Sequence, residues 1–245
     1  MQPRAPATPP KPVSQIWRPE LTRLPRLHWA RRAFRGLARL LARGLIRGLT
    51  RPEVRGLEHL PAGAALFAIN HLGDADTPLL LSALPFAPET LGKIELLFEY
   101  PVLGRLMDWY GIIWLHRGLV DRRALDFGVQ ALREGRSVVV APEGRYALSE
   151  GLERGTGGAA YLALRAQVPI VPVALTGTQN HRVFAKLRRM TRPSVTLTVG
   201  EPFRLHVAGG RAQTLQAATQ EIMESIARLL PPEYRGVYGE QGWRA

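Results

Sequence analysis

A histidine and two carboxylates stand close together in residues 70–76, Asn-His-Leu-Gly-Asp-Ala-Asp. Five residues rotate a helix by about 140°, so His71 and Asp76 would not share a helical face. A turn around Gly73 would bring the Asp76 carboxylate back to the imidazole. A carboxylate on one ring nitrogen fixes the tautomer and makes the other nitrogen a stronger base. The segment predicts a His71–Asp76 pair that removes a proton from a hydroxyl; Asp74 is a rival partner, and a polar helix cap is the alternative.

Two further polar segments follow predicted strands. Arg117 comes after the apolar residues 112–115, and its forked guanidinium suits a phosphate, although a lone loop arginine is more often solvated. Pro142-Glu143-Gly144-Arg145 comes after a Val-rich run. Gly144 would let the backbone approach a ligand, whereas Glu143 either contacts that ligand or braces neighbouring amides.

The elements that must position these residues alternate between strand and helix from Ala62 onward. Such alternation predicts an α/β fold of three layers, a mixed sheet flanked by helices, with functional loops beyond the strand ends. The predicted strands cover 64–69, 94–98, 112–115, 137–141, 170–175 and 195–199, and the predicted helices cover 77–84, 102–110, 121–134, 156–166 and 215–230.

Composition restricts the function classes. The chain has 245 residues, of which 46% are hydrophobic, and a formal net charge of +13. This charge favours anionic partners such as lipid headgroups, phosphorylated cofactors, an acidic carrier protein or nucleic acid. The absence of cysteine excludes disulfides, thiolate metal sites and a cysteine–acyl intermediate.

Arginine recurs every fourth residue from Arg31 to Arg51, among apolar residues. On a helix this spacing forms a basic stripe, and the segment predicts an amphipathic helix in the membrane interface. The alternatives are an ordinary helix packed on the domain with its arginines in water, or a helix that binds nucleic acid. The residues predicted to bind the membrane are Trp29, Arg35, Arg39, Arg43 and Arg47.

The chain divides into a flexible Pro-rich tail (1–23), a basic helical membrane-surface segment (24–58) and one domain (59–245). The first fifteen residues lack the apolar core of a secretory signal peptide, and no segment offers the roughly 18–20 apolar residues of a spanning helix. We expect a peripheral protein on the cytoplasmic face of the cell membrane. We also expect loss of the residues before Arg55 to weaken vesicle binding more than folding.

Four segments in order resemble the motifs of the lysophospholipid acyltransferase family, which includes 1-acylglycerol-3-phosphate acyltransferases. The resemblance covers residues 61–177. The matching segments are Asn70-His71 with Asp76, Gly111 to Arg117, Ala141 to Ala147, and Val168 to Val173.

The resemblance implies a role for each position. His71 would be the general base, Asp76 would orient it, Arg117 would hold the acceptor phosphate, and Glu143 and Gly144 would shape the acceptor pocket. The donor would be acyl-CoA or acyl-carrier protein, the acceptor a lysophospholipid or glycerol phosphate (first of all 1-acylglycerol-3-phosphate), and neither a metal nor another cofactor would be needed.

The chain departs from the family pattern at three places. The serine expected two residues after the histidine is Gly73, the third motif lacks its Phe, and Arg145 and Tyr146 replace its Thr-Arg pair. Arg145 is the candidate for a second phosphate contact. The alternatives are a basic lipid- or nucleic-acid-binding module, nucleic acid being the less favoured partner, and a diverged member with an unusual acceptor.

Overall fold

The computed structural model describes residues 9–118, 120–148, 151–205 and 211–239. Within these ranges seven strands form a single sheet. They are β1 (Arg51–Arg55), β2 (Leu66–Ile69), β3 (Glu89–Lys93), β4 (Ile113–Leu115), β5 (Val138–Val140), β6 (Ile170–Thr176) and β7 (Ser194–Val199). Their order is β1-β7-β6-β2-β5-β3-β4, and only the β6–β7 pair is antiparallel.

The described helices cover both faces of the sheet. They are α1 (Trp29–Leu49), α2 (Asp76–Ala83), α3 (Leu96–Glu99), α4 (Pro101–Tyr110), α5 (Arg122–Arg133), α6 (Gly158–Ala166), α7 (Asn180–Arg188) and α8 (Arg211–Leu229). Short 3-10 turns lie at Pro19–Leu21, Leu57–His59, Pro232–Tyr234 and Gly236–Tyr238. None of the described helices has the length and apolar character needed to cross a bilayer.

Alternate residues of the central strands pack into opposite cores. Phe67 and Ile69 of β2 contact the core under α1 and α2, while Leu66 and Ala68 contact the core under α5, α6 and α8. These strands are buried on both faces, which explains their continuous apolar sequences. The predicted three-layer α/β fold with a mixed sheet is confirmed.

The topology gathers the polar loops at one edge. Because β2, β5, β3 and β4 are mutually parallel neighbours, their carboxyl ends meet along the same side of the sheet. The loops after β2, β4 and β5 carry the predicted site residues; here they are called the first, second and third loops. The first and third loops are adjacent because Ala68 pairs with Val140. The second loop lies further along the edge, beyond β3.

Two segments differ from the sequence prediction. The strand predicted over 94–98 lies at Glu89–Lys93 instead, and the short helix α3 follows it. The segment predicted as helical over 24–58 is helical at Trp29–Leu49, but Arg51–Arg55 form an edge strand parallel to β7. This strand belongs to the sheet, so we expect loss of the residues before Arg55 to reduce folding stability as well as vesicle binding.

Three arginines of the α1 stripe, Arg35, Arg39 and Arg43, face the protein. Arg35 is 4% exposed and donates to Glu89 Oε1 at 2.9 Å, so it is not available to bind lipid. Arg39 and Arg43 donate to carbonyls near the end of α2, at Leu84 and Ser82. The last carbonyls of a helix lack intrahelical donors, and these guanidinium groups supply them. Of the residues predicted to bind the membrane, Trp29 and Arg47 are exposed.

Part of the predicted tail is also ordered against the domain. Residues 1–8 lie outside the described ranges. Ser14 exchanges hydrogen bonds with the Arg117 backbone, and the ring of Trp17 lies 4.6 Å from that of His116. This segment therefore reaches the same edge of the sheet as the three loops.

Candidate active site

The first loop folds around the Asp76 carboxylate. Its Oδ2 atom lies 2.7 Å from His71 Nδ1 and accepts from the backbone N–H groups of Leu72 at 2.7 Å and Gly73 at 3.0 Å. Asp76 is fully buried at the first residue of α2, where the helix dipole favours a negative charge. The carboxylate fixes the Nδ1–H tautomer and leaves Nε2 with its lone pair.

Gly73 is required by the close packing of this loop. A Cβ at this position would lie 2.5 Å from both Asn180 Oδ1 and the Thr178 carbonyl oxygen. Asn180 also accepts from the Asp74 backbone N–H at 2.8 Å. The contact with α7 therefore explains why glycine replaces the serine of the family pattern.

Asp74, the rival partner, is directed away from His71. Its two carboxylate oxygens accept from Tyr146 Oη at 2.7 Å and Asn180 Nδ2 at 3.0 Å. The Tyr146 ring meets the His71 ring edge-on at a centroid distance of 4.3 Å. Burial and the hydrogen bond to Asp74 raise the pKa of Tyr146, which keeps its hydroxyl protonated. Tyr146 thus forms a wall beside the imidazole.

Glu143 braces the first and third loops and has no exposed surface for a substrate. Its side chain is fully buried, and its carboxylate oxygens accept from the backbone N–H groups of His71 at 3.1 Å and Glu153 at 2.9 Å. Burial raises the pKa of Glu143 to about 7, despite the opposing effect of these two hydrogen bonds. The predicted substrate contact is therefore corrected to the bracing alternative.

Gly144 is exposed, with φ of +73°, and allows the sharp turn of the third loop. The adjacent Arg145 is engaged on every side of its guanidinium. Its Nε and Nη2 each lie 2.8 Å from Glu153 Oε2, and its Nη1 donates to the Pro10 carbonyl at 3.1 Å. Only 8% of its side chain is exposed, so this structure does not offer Arg145 to an acceptor phosphate.

Arg117, in the second loop, is loosely held by comparison. Its Nη2 lies 3.8 Å from Glu95 Oε2, which is too long for a hydrogen bond. Within the described ranges its buried Nε has no hydrogen-bond partner, and neither do the two carboxylate oxygens of Glu95. Buried polar groups usually have partners, so this cluster has unmet capacity for a polar ligand or water.

A second histidine–aspartate pair precedes α5. His116 Nδ1 lies 2.8 Å from Asp121 Oδ2, which also accepts from the His116 backbone N–H. Burial would raise the pKa of Asp121, but these bonds and one from the Ala124 N–H hold it below its usual value. The Nε2 atom of His116 accepts from the Arg18 backbone N–H at 3.0 Å, so its lone pair is occupied.

A comparison with protein families identifies the family of this chain. A family model described as "Acyltransferase" matches residues 51–176, about half of the chain. The chain belongs to the acyltransferase family. The matched residues include all three loops, and the resemblance predicted from the four motifs is confirmed.

Several curated relatives of this acyltransferase are acyltransferases of lipid precursors. A lyso-ornithine lipid O-acyltransferase of Pseudomonas aeruginosa is 31% identical, over 51% of this chain and 47% of the relative. Human 1-acyl-sn-glycerol-3-phosphate acyltransferase beta is 33% identical, over 60% and 53% respectively. A chloroplastic 1-acyl-sn-glycerol-3-phosphate acyltransferase of Brassica napus, BAT2, is 30% identical over 78% and 55%. The chain thus spans about half the length of these relatives.

A solved structure has the same fold. The 1-acyl-sn-glycerophosphate (LPA) acyltransferase PlsC from Thermotoga maritima matches with a TM-score of 0.62 and covers 82% of each chain, at 19% identity. Within the described part of this acyltransferase, no group of three or more His, Asp and Glu side chains is arranged to hold a metal ion.

The structure adds residues that the sequence analysis did not connect to the site. The sequence marks Tyr146 only as a departure from the family pattern, predicts Glu95 within a strand, and gives no signal for Glu153 or Lys11. Tyr146 and Lys11 act through partners distant in sequence, Asp74 and the Glu143 carbonyl respectively. The pattern His116-x-x-x-x-Asp121, by contrast, was visible in the sequence and repeats the spacing of the first pair.

Proposed function

We propose that this acyltransferase moves a fatty-acyl group from the thioester of acyl-CoA or acyl-carrier protein to the free hydroxyl of 1-acylglycerol-3-phosphate. The observation that carries the proposal is the His71–Asp76 pair, in which a buried carboxylate holds Nδ1 at 2.7 Å. A quarter of the His71 side chain is exposed. Within the described residues, no hydrogen bond occupies its Nε2.

The chemistry follows from that tautomer. Nε2 takes the proton of the acceptor hydroxyl as its oxygen attacks the thioester carbonyl carbon. The tetrahedral intermediate then collapses, the C–S bond breaks, and the leaving thiolate takes the proton from the imidazolium. The products are an ester and a free thiol. Asp76 stabilises the imidazolium between the two steps, and no acyl-enzyme is formed.

A second acceptor class is supported by the third loop. Tyr146 stands where the family pattern has arginine, and Arg145 is paired with Glu153. A relative named for lyso-ornithine lipid is among the similar proteins. An acceptor with a different anionic headgroup is therefore the alternative to 1-acylglycerol-3-phosphate.

The test is acyl transfer by the purified protein. Labelled acyl-CoA or acyl-carrier protein would be offered with 1-acylglycerol-3-phosphate, glycerol 3-phosphate, lyso-ornithine lipid and lysophosphatidylcholine. We expect His71→Ala to lower kcat by about 10³-fold, because it removes the base. His59→Ala is the matched control, since His59 contacts the Val199 carbonyl at the opposite edge of the sheet. Absence of product with every acceptor, or equal rates in His71→Ala and wild type, would refute the proposal.

We further propose that the protein binds an anionic membrane surface, on the cytoplasmic side, through the outer face of α1 and not through its arginine stripe. Trp29 is 82% exposed at the start of this helix, and four leucines further along it are more than half exposed. Phe34 joins α1 to α4 by an edge-on contact with Trp109. The exposed large apolar residues of the two helices are Trp29, Leu37, Leu40, Leu41, Leu45, Leu49, Val102, Leu103, Leu106 and Trp109.

An exposed apolar surface of this kind marks a lipid or protein interface, and the net charge of +13 favours anionic lipid. The test is sedimentation with vesicles containing phosphatidylglycerol. We expect Leu37, Leu41 and Leu45 changed together to Ser to weaken binding about tenfold or more, because apolar area no longer leaves water. Leu57→Ser is the control at an exposed leucine outside this surface. Equal binding of the triple variant and wild type would contradict the proposal.

A further inference from the structure

Residues 10–18 cross the edge of the sheet that carries the active site; they are called the strap. Ser14 binds the second loop twice. Its N–H donates to the Arg117 carbonyl at 2.8 Å, and its hydroxyl accepts from the Arg117 N–H at 2.7 Å. A Cβ on Gly118 would lie 2.5 Å from Val13, so the strap packs closely against this loop.

The other end of the strap lies on the third loop. Lys11 Nζ donates to the Glu143 carbonyl at 2.7 Å and to the Arg154 carbonyl at 2.9 Å. The Pro10 carbonyl accepts from Arg145 Nη1 at 3.1 Å. The strap therefore joins the second and third loops, which the sheet itself separates by β3.

The two cations at this end of the strap are compensated differently. Arg145 is neutralised by Glu153 at 2.8 Å. Lys11 has no carboxylate within 4.0 Å among the described residues, and its two hydrogen bonds go to neutral carbonyls. Desolvation by burial and the charge of Arg145 lower the pKa of Lys11, whereas the charges of Glu153 and Glu143 raise it, and a bound anion would stabilise the ammonium further. An ammonium has three donors, and one N–H remains for that anion.

Arg117 offers the second half of an anion site. Its Nε has no hydrogen-bond partner in the described ranges, and its nearest carboxylate lies 3.8 Å away. Ser14, which is bonded to the Arg117 backbone, is three residues from Lys11, so the Cα atoms of Ser14 and Lys11 are at most about 11 Å apart. The strap thus tethers Lys11 to the loop that carries Arg117.

We propose that Lys11 binds the anionic headgroup of the acyl acceptor together with Arg117, in the role that the sequence assigned to Arg145. The inference rests on the proposed acyl transfer and names a specificity-determining residue for it. Arg145 instead fixes the strap through Pro10 and cannot reach the headgroup while it is paired with Glu153. The headgroup chemistry is a phosphate monoester or a carboxylate, as in the two acceptor classes above.

The test compares steady-state kinetics of wild type, Lys11→Gln and Lys11→Arg with a soluble short-chain 1-acylglycerol-3-phosphate and with lyso-ornithine lipid. We expect Lys11→Gln to raise the KM for the preferred anionic acceptor about tenfold, because a charge-assisted hydrogen bond is lost. We expect kcat and the KM for the acyl donor to change less than about twofold. Lys11→Arg restores most of the acceptor KM.

Two controls separate headgroup binding from other effects. Lys186→Gln, on the exposed face of α7, removes the same charge elsewhere and leaves the acceptor KM unchanged. Ser14→Ala weakens the attachment of the strap without changing charge. A Ser14→Ala variant that matches Lys11→Gln, with no rescue by Lys11→Arg, would overturn the proposal, and so would an unchanged KM in Lys11→Gln.

Absence of acyl transfer can be distinguished from absence of the anion site. If the wild type transfers no acyl group, the same variants are compared by calorimetric binding of the short-chain 1-acylglycerol-3-phosphate without donor. Binding that weakens about tenfold in Lys11→Gln would support the anion site even though the reaction is wrong. Equal binding by wild type and Lys11→Gln, or no binding by either, would overturn the site as well.

Discussion

The chain contains the pattern His-x-Gly-x-x-Asp twice, from His71 to Asp76 and from His116 to Asp121, and folds both copies in a similar way. Each aspartate lies at the amino end of a helix and holds its histidine through Nδ1, at 2.7 Å and 2.8 Å. Each histidine follows a strand at the same edge of the sheet. By tautomer alone, both imidazoles would qualify as bases.

The two copies differ at Nε2. In the second copy this atom accepts from the Arg18 N–H, Trp17 lies over the ring, and 2% of the side chain is exposed. In the first copy a quarter of the side chain is exposed, and Tyr146 covers only one side. A histidine–aspartate pair therefore becomes a base only where the surroundings leave its second nitrogen free.

Changing the two aspartates gives the largest expected difference. We expect Asp76→Asn to lower kcat by about 10²-fold or more, because the amide no longer stabilises the imidazolium or fixes the tautomer. We expect Asp121→Asn to leave kcat within about threefold and to cost about 1–2 kcal/mol of stability, since a helix cap is weakened. Kinetics and urea unfolding measure the two effects. Similar losses of kcat in both variants would remove the distinction.

Gly73 and Gly118 are the glycines of the two His-x-Gly-x-x-Asp copies, and changing them gives a smaller expected difference in kinetics. A Cβ on Gly73 would meet the Thr178 carbonyl oxygen at 2.5 Å, and both sides of that contact are fixed in the domain. We therefore expect Gly73→Ala to displace the first loop, lowering kcat about tenfold and stability by about 2 kcal/mol. In Gly118→Ala the contact is with Val13 of the strap, which can move, although φ of +89° adds strain. We expect its effect on the acceptor KM to exceed its effect on kcat. An unchanged kcat in Gly73→Ala would contradict this view of the first loop.

The smallest expected effect comes from Glu143, which braces the first and third loops, and it concerns the pH dependence of stability. Burial raises the pKa of Glu143 from 4.5 to about 7, so the folded protein keeps a proton that the unfolded chain releases in this range. This contribution to the free energy of unfolding falls as pH rises from 4.5 to 7 and is constant above. We expect the stability of wild type minus that of Glu143→Gln to follow the same course. A difference that is flat or rises with pH would contradict it.

The His71–Asp76 pair could be predicted from the sequence because its geometry is local. His71, Gly73 and Asp76 lie in one loop, and the helix that Asp76 begins fixes the carboxylate. The three-layer fold was equally predictable, since its central strands are continuous apolar runs. Partners far apart in the chain were not predictable. Arg18, which occupies the Nε2 of His116, lies 98 positions away from it.

The arginine stripe of α1 shows what periodicity alone cannot predict. Regular spacing shows that the arginines share one side of a helix, but it does not show what that side contacts. Arg35 is buried because Glu89 neutralises it, and Arg39 finds a free carbonyl at the end of α2. Both partners come from residues after position 80, which the local pattern of α1 does not include. Leucines therefore form the outer face.

The most direct test of the central claim compares His71→Ala with His116→Ala in the same acyl-transfer assay, using 1-acylglycerol-3-phosphate and an acyl thioester. Circular dichroism and thermal unfolding would confirm that both variants are folded. The account predicts a loss of kcat of about 10³-fold in His71→Ala and less than about fivefold in His116→Ala, because only His71 has a free Nε2. Equal losses, or a larger loss in His116→Ala, would contradict it.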